Sequence, residues 1–232
     1  MIVAIHQPNY FPWLGYFHKI AAADVFVFLD DVQFSKNSYT NRVQILGNGK
    51  ARWLTVPVSV HFGDHVNEVR PARSDWRKAH LDTLCTFYRR APAFRAVWPR
   101  ITEIYNGLPQ GDLAAINRAL IEAVAGELGL ACRFQNSSEV ETGGATGDDR
   151  LVRLVSQVAS DACYLSGQGG AKYQDPEKFA RAGLGFRNSD FTHPVYDQGG
   201  AGFTAGLSVI DAVFRVGWTG AAELLANAGA AT

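Results

Sequence analysis

Two short apolar runs near the start of the chain stop at polar chemistry in the same way, and this repetition limits the possible folds more than any other feature. Ile2 to Ile5 ends in His6 and Gln7, and Val25 to Leu29 ends in Asp30 and Asp31. Between them lie an aromatic turn punctuated by Pro and Gly and an amphipathic stretch around His18 to Ala23. The order reads as strand, loop, helix, strand. Strands joined by a crossover helix lie parallel, and open parallel sheets bind ligands past the carboxyl ends of their strands. His6, Gln7, Asp30 and Asp31 are therefore expected on one functional rim.

The alternation continues along the chain. Core strands are expected at 2–6, 25–30, 131–135, 162–166 and 184–190, and all but the last end in a polar or Gly-rich loop. Helical segments are expected around 149–159 and 176–183, with one or two more in the tail, 207–226. This is an α/β pattern, a doubly wound parallel sheet of about five strands. Two insertions are expected in a single domain spanning 1–232. A β-hairpin at 40–60 is signalled by Asn48-Gly49 between two alternating runs. A helical block at 75–129 is punctuated by Pro92, Pro99 and Pro109. Residues 61–74 read as loop.

Composition excludes several classes. The 22 basic and 22 acidic residues balance, and no basic run occurs, which argues against nucleic-acid binding. No apolar stretch approaches the length of a bilayer span, and no positive segment precedes the first strand, so a cytoplasmic protein is expected. Cys85, Cys132 and Cys163 are odd in number and sit in apolar surroundings, which suits reduced, unreactive thiols.

The opening stretch H-Q-P-N-Y-F-P-W-L-G-Y-F-H-K-I, followed by L-D-D-V-Q-F and then N-R, resembles the WbqC-like protein family. Further matching blocks come in order: Trp53 to Val58, Trp76 to His80, Tyr164 to Gly167 with Lys172 and Tyr173, His193 to Tyr196, and Leu207 to Asp211. The family often shows Asn-x-Gly after that last block; this chain has Arg215-Val216-Gly217, so no role of that Asn carries over. The resemblance implies a part in the biosynthesis of surface polysaccharides or other specialised metabolites. It implies no particular reaction.

The residues themselves point to candidates, each with a plainer alternative. His6 at a strand end can hold a phosphate or act as acid or base; alternatively it hydrogen-bonds across its own turn. The position resembles HUP-type nucleotide-binding proteins, although their H-x-G-H pattern is absent and Gly15 and His18 stand at a wider spacing. Asp30 and Asp31 point to opposite faces, so one is expected at the site and one in a cap. Magnesium is disfavoured, because no further carboxylate lies nearby in sequence. Asn41 and Arg42 follow within reach, and Arg42 suits a phosphate or carboxylate clamp or else a surface ion pair. In Ser166-Gly167-Gln168-Gly169-Gly170-Ala171-Lys172-Tyr173, exposed backbone N–H groups and a Lys suit an anion, although the spacing is not a Walker A motif. His193 and Tyr196 are placed to close over a site, or else pack in a turn. Of the aromatics, Tyr10 is expected nearest the site, with Trp13 and Phe17 mostly in the core. His80 is expected between the helical block and the sheet, and His61 and His65 in a solvated loop.

The resulting expectation is an enzyme that transfers a nucleotidyl or acyl group onto a small sugar or amine. His6, Asp31 and His193 are the catalytic candidates. Gln7, Tyr10, Asn41, Arg42, Ser166, Gly167, Lys172, Tyr173 and Tyr196 would bind substrate. The implied partner is a small molecule, with a nucleotide or acyl donor as cosubstrate and oligomerisation left open. A non-catalytic ligand-binding protein of the same pathway is the rival. A cysteine or metal hydrolase ranks last, because no G-x-S-x-G elbow or zinc spacing occurs.

Overall fold

A computed structural model describes residues 1–170, 173–200 and 202–229. The five expected core strands form one parallel sheet. In chain order the strands and helices are β1 (Ile2–His6), α1 (Leu14–Ala21), β2 (Val25–Phe28), β3 (Arg42–Gly47), β4 (Lys50–Thr55), β5 (Val58–Ser59), β6 (Arg70–Pro71), α2 (Trp76–Tyr88), α3 (Phe94–Gly107), α4 (Leu113–Glu127), β7 (Arg133–Asn136), α5 (Gly147–Val158), β8 (Cys163–Ser166), α6 (Pro176–Arg181), β9 (Gly185–Asn188) and α7 (Val209–Asn227). The sheet order β7-β2-β1-β8-β9 reverses direction between β1 and β8. This is the order of a doubly wound, Rossmann-like fold, and the reversal marks the switch point where such sheets bind ligands.

The strands alternate between two apolar layers. Val3, Ile5, Val25 and Val27 pack with Leu154, Val155 and Phe179 on the α5–α6 side. Ala4, Phe26, Phe28 and Leu165 face the larger core built with α1, α2, α3, α4, α7 and the hairpin. Because side chains alternate along a strand, His6 points to the same side as Ala4, towards α1.

Local signals account for most boundaries. Asn48 and Gly49 both take positive φ, 52° and 71°, as a two-residue type I′ hairpin turn requires. Asp112 caps α4 by accepting from Ala115 N at 2.8 Å. Asp175 caps α6, with Pro176 at its first position. Gly217, at φ 77°, breaks α7 into two helical pieces. Three details differ from expectation. β2 ends at Phe28, because Asp30 leaves the ladder to bind residues 137–138 after β7. The last core strand is shorter, ending at Asn188. The loop 61–74 contributes the short strand β6, paired with β5.

Candidate functional site

The loop after β1 is tied down from several sides. Phe11 sits at φ 39°, unusual for a bulky residue, and persists because its surroundings leave it no alternative. Its carbonyl accepts from Ser208 Oγ at 2.7 Å, and Asn117 Nδ2 donates to Pro8 O and Thr40 O at 2.8 and 2.7 Å. Tyr10 N bonds Tyr39 O at 2.9 Å. The loop therefore presents His6 and Gln7 at the switch point on a rigid frame.

His6 is half-buried between the edges of Tyr16 and Trp13, with ring centroids 4.9 and 6.3 Å away. Its Nδ1 lies 3.0 Å from Gln7 O, which also accepts from Tyr16 OH at 2.9 Å. A carbonyl acceptor fixes the proton on Nδ1 and leaves Nε2 with its lone pair. Burial, aided by the charge on Lys19, lowers the imidazole pKa to about 4. His6 is thus a neutral acceptor at neutral pH, not the cation a phosphate would seek.

Among the described residues, the cation at the switch point is Lys19, which the sequence reasoning missed. It lies on α1, is 5% exposed, and donates to Ile5 O at 2.8 Å. Its Nζ stands 5.9 Å from the centroid of the Tyr164 ring, and a Cβ built on Gly167 would lie 3.9 Å from it. The ammonium is therefore wedged between the ends of β1 and β8. Burial lowers its pKa to about 7.

Ser166 ends β8 and is fully buried. Its hydroxyl contacts Gln174 Oε1 and donates to Gly167 O at 3.1 Å, while Gln174 Nε2 donates to Tyr164 OH at 3.1 Å. A Cβ on Gly170 would come within 2.6 Å of Ser166 Oγ and 2.7 Å of Gln174 Oε1. Close approach by that glycine is thus explained inside the loop, without an anion. Lys172, expected as the countercharge, lies outside the described residues.

The two aspartates stand in different surroundings. Asp30 is buried and accepts from Ser137 Oγ, Ser138 N and Ser138 Oγ at 3.1, 2.9 and 2.6 Å, a purely architectural set. Asp31 is more open, accepting from Ser137 Oγ and pairing with Arg150 on the first turn of α5. Burial alone would raise its carboxyl pKa, but those hydrogen bonds and the guanidinium charge outweigh it and hold the group below the usual range. Asp31 lines a cavity of about 510 Å³ together with Gln33, His65, Arg150, Tyr173 and Gln174. Gln174 thereby joins this cavity to Ser166. On the rim, Asp31 thus opens onto a cavity, while Lys19 and Ser166 are buried at the switch point.

Other candidates fall elsewhere. Tyr10 is fully buried in the core, bonded to His80 Nδ1 at 2.7 Å and Tyr105 OH at 2.6 Å. His80 also meets Thr55 O at 2.9 Å, and its pKa is lowered to about 4 by burial. Trp13, expected in the core, instead stands half-buried beside His6. Asn41 is buried and donates to Val56 O at 3.1 Å. Arg42 bonds Asn37 and stacks 4.1 Å from the Trp53 ring centroid. His193 packs edge-on against Phe191, 4.8 Å between centroids. Tyr196 donates to Asp211 at 2.8 Å, beside a different cavity. Cys85, Cys132 and Cys163 are all free and half-buried, and burial raises the Cys132 thiol to about 11. Among the described residues, no cluster of three or more His, Cys, Asp or Glu is arranged to hold a metal, and no helix is long and apolar enough to cross a membrane.

The model of the WbqC-like protein family matches residues 7–223. The chain belongs to the WbqC-like protein family. Within that span fall the loop after β1, Lys19, Asp31 and the Asp211 block. The chain is also similar to a protein of Mycobacterium tuberculosis H37Rv named "Uncharacterized protein Rv1507c", 34% identical over 219 residues that cover 93% of this chain and 94% of that one. No solved structure matches it.

Proposed function

We propose that this WbqC-like protein is a transferase of surface-polysaccharide or specialised-metabolite biosynthesis. It moves an activated nucleotidyl or acyl group from a donor at the switch point onto a small sugar or amine. The observation that carries this reading is Lys19, a buried amine with a near-neutral pKa at the point where the strand order reverses. Perturbed ionisable groups concentrate where chemistry needs them, and a base works best when its pKa lies near the working pH. In acyl transfer, the acceptor nitrogen or oxygen bonds to the acyl carbon and the bond to the leaving group breaks. The acceptor's proton passes to the neutral amine of Lys19, and His6 Nε2 accepts a hydrogen bond from the incoming group. Asp31, held ionised by Ser137 and Arg150, orients a hydroxyl or ammonium of the acceptor in the adjoining cavity.

The test begins with a thermal-shift screen of nucleotides, nucleotide sugars and acyl thioesters. A ligand at 100 to 1,000 times its dissociation constant raises stability by about 3–4 kcal/mol. Donors that bind are then incubated with amino-sugar acceptors and the products weighed by mass spectrometry. Lys19→Met is expected to keep the donor-induced shift and lose turnover by roughly 100-fold or more. Binding without turnover in the wild-type protein would favour the ligand-binding rival. No response to any donor class would end the transferase reading.

A further inference from the structure

A cavity of about 690 Å³ lies away from the rim, between the β3–β4 turn, the end of α2, α7 and residues 198–200 and 202–204. Its described lining contains two arginines, Arg90 and Arg215, and no carboxylate. Phe87 and Phe203 give it apolar walls, and Asn48 and a run of glycines give it polar ones. Arg215, which departs from the family pattern, lines it, and Phe203 of its wall packs edge-on against Tyr196, 5.5 Å between ring centroids.

The loop is built, not draped. Gln198 is 2% exposed and clamps it shut, donating to Thr204 O at 3.0 Å and accepting from Thr204 N at 2.8 Å. Gly199 takes φ +75°, with its N–H held by Asp197 Oδ1 at 2.7 Å. A Cβ at Gly199 would collide with Arg215 Nη1 and lie 3.1 Å from Cζ, so only glycine lets the loop backbone rest on the guanidinium. Arg215 is set from behind as well. Its Cζ is 5.9 Å from the Tyr88 ring centroid, and its Nε is buried without a hydrogen-bond partner.

The nearby Asp211 makes no direct ion pair with Arg215. Both oxygens of Asp211 are occupied, accepting from Tyr88 OH at 2.9 Å and Tyr196 OH at 2.8 Å. Among the described residues, neither Arg90 nor Arg215 has a carboxylate within ion-pairing distance. Two guanidiniums from different elements, one of them fixed in place, thus face a space with no acid in its described lining.

We infer that this cavity is a second ligand site that binds the phosphoryl group of a phosphorylated small molecule, with Arg215 and Arg90 as its cationic contacts. Guanidinium forks match phosphate oxygens in a bidentate way. Phe87 and Phe203 offer apolar surface to the remainder of the molecule. The site is independent of the transferase reading, since it shares no residue with the rim.

Inorganic pyrophosphate, titrated into the full chain by calorimetry, tests this directly. Saturable binding is expected, weakened at least tenfold by Arg215→Gln and by Arg90→Gln, and unchanged within twofold by Lys19→Met. Gly199→Ala is expected to weaken it too, because the added methyl displaces the guanidinium. Unfolding midpoints on the same samples guard against misfolding; Arg90 is exposed, so its variant decides the matter if Arg215→Gln does not fold. No saturable binding to wild type would overturn the inference. So would binding that survives both arginine variants, or malonate binding with no response to pyrophosphate. Binding lost only in Lys19→Met would place the phosphate at the rim and refute this site.

Discussion

Lys19 at the switch point and Asp211 beside the outer cavity are both buried ionisable groups, and the fold treats them in opposite ways. Asp211 is fully enclosed, yet both its oxygens accept tyrosine hydroxyls, from Tyr88 and Tyr196. Burial raises its pKa, while those hydrogen bonds and the Arg215 charge pull the other way. Lys19 has three N–H bonds to place, and Ile5 O is its one hydrogen-bond partner among the described residues. Its charge is left to desolvation, which brings the pKa down to about 7. A buried charge with a full set of partners serves architecture. One with an incomplete set is held ready to change its protonation state, and that is what a site needs.

The largest test of this contrast is Asp211→Ala. It leaves the buried Tyr88 hydroxyl and the half-buried Tyr196 hydroxyl without their acceptor and removes a carboxylate that interacts with Arg215, so a loss on the order of 3–5 kcal/mol is expected in urea unfolding. Asp211→Asn, which keeps an acceptor, should cost clearly less. A cost below about 1 kcal/mol for the alanine variant would erase the architectural half of the comparison.

The Lys19 half makes a prediction in pH. Its folded-state pKa, about 7, lies below the unfolded value of 10.5, so the unfolded chain binds more protons between those limits. Stability should therefore rise with pH from about 7 to 10, by a few kcal/mol, on the order of 2–4. Lys19→Met should flatten that rise and be at least as stable as wild type at pH 7. An unchanged pH profile in the variant would show that Lys19 keeps its proton in the fold.

Lys19 was hard to see in the sequence for a physical reason. A lysine in an amphipathic stretch normally lies on the solvated face, and α1 is only eight residues long, too short for its period to be certain. The available signal was that Lys19 follows Tyr16 by three positions, on the same helical face as a residue that ends up buried. The parallel sheet, by contrast, was readable because five apolar runs of strand length alternate with helical periods. The hairpin was readable because Asn-Gly admits the positive φ of its turn. Tyr10 could not be placed, since its partners His80 and Tyr105 lie 70 and 95 residues away. Tyr196 was assigned to the rim because strand ends drew attention there; nothing local indicates that its hydroxyl meets Asp211.

A smaller effect separates the neighbouring aspartates. Asp30→Ala should cost about 2 kcal/mol, because it takes an acceptor from the buried Ser137 hydroxyl and from the N–H and hydroxyl of Ser138. Asp31→Ala should cost nearer 1 kcal/mol, since its carboxylate is partly solvated. The carboxyl pKa of Asp31 is lowered from 3.8, so its stabilisation is present above that pH and lost as pH falls through the folded value. Acid titration of the two variants should accordingly show a shallower loss below about pH 4 for Asp31→Ala than for wild type. Equal costs would mean that the two carboxylates are not divided between architecture and site.

The smallest expected effect on stability, and the most direct probe of the rim, is Tyr173→Ala. Tyr173 is 77% exposed, yet it lines the Asp31 cavity next to Gln174. An exposed ring makes little contact to lose, so the unfolding midpoint should move by no more than about 0.5 kcal/mol in either direction. A large aromatic left in water at a cavity mouth is nonetheless suited to stacking on a sugar or base. The variant should therefore reduce the thermal shift produced by whichever donor or acceptor the screen identifies, while the ligand-free protein unfolds as before. If that shift survives in Tyr173→Ala but disappears in Lys19→Met, the ligand sits wholly in the crevice between β1 and β8, and the Asp31 cavity is not part of its site. If Tyr173→Ala instead lowers the ligand-free midpoint by more than 1 kcal/mol, the ring is a packing element and the cavity loses its best stacking surface.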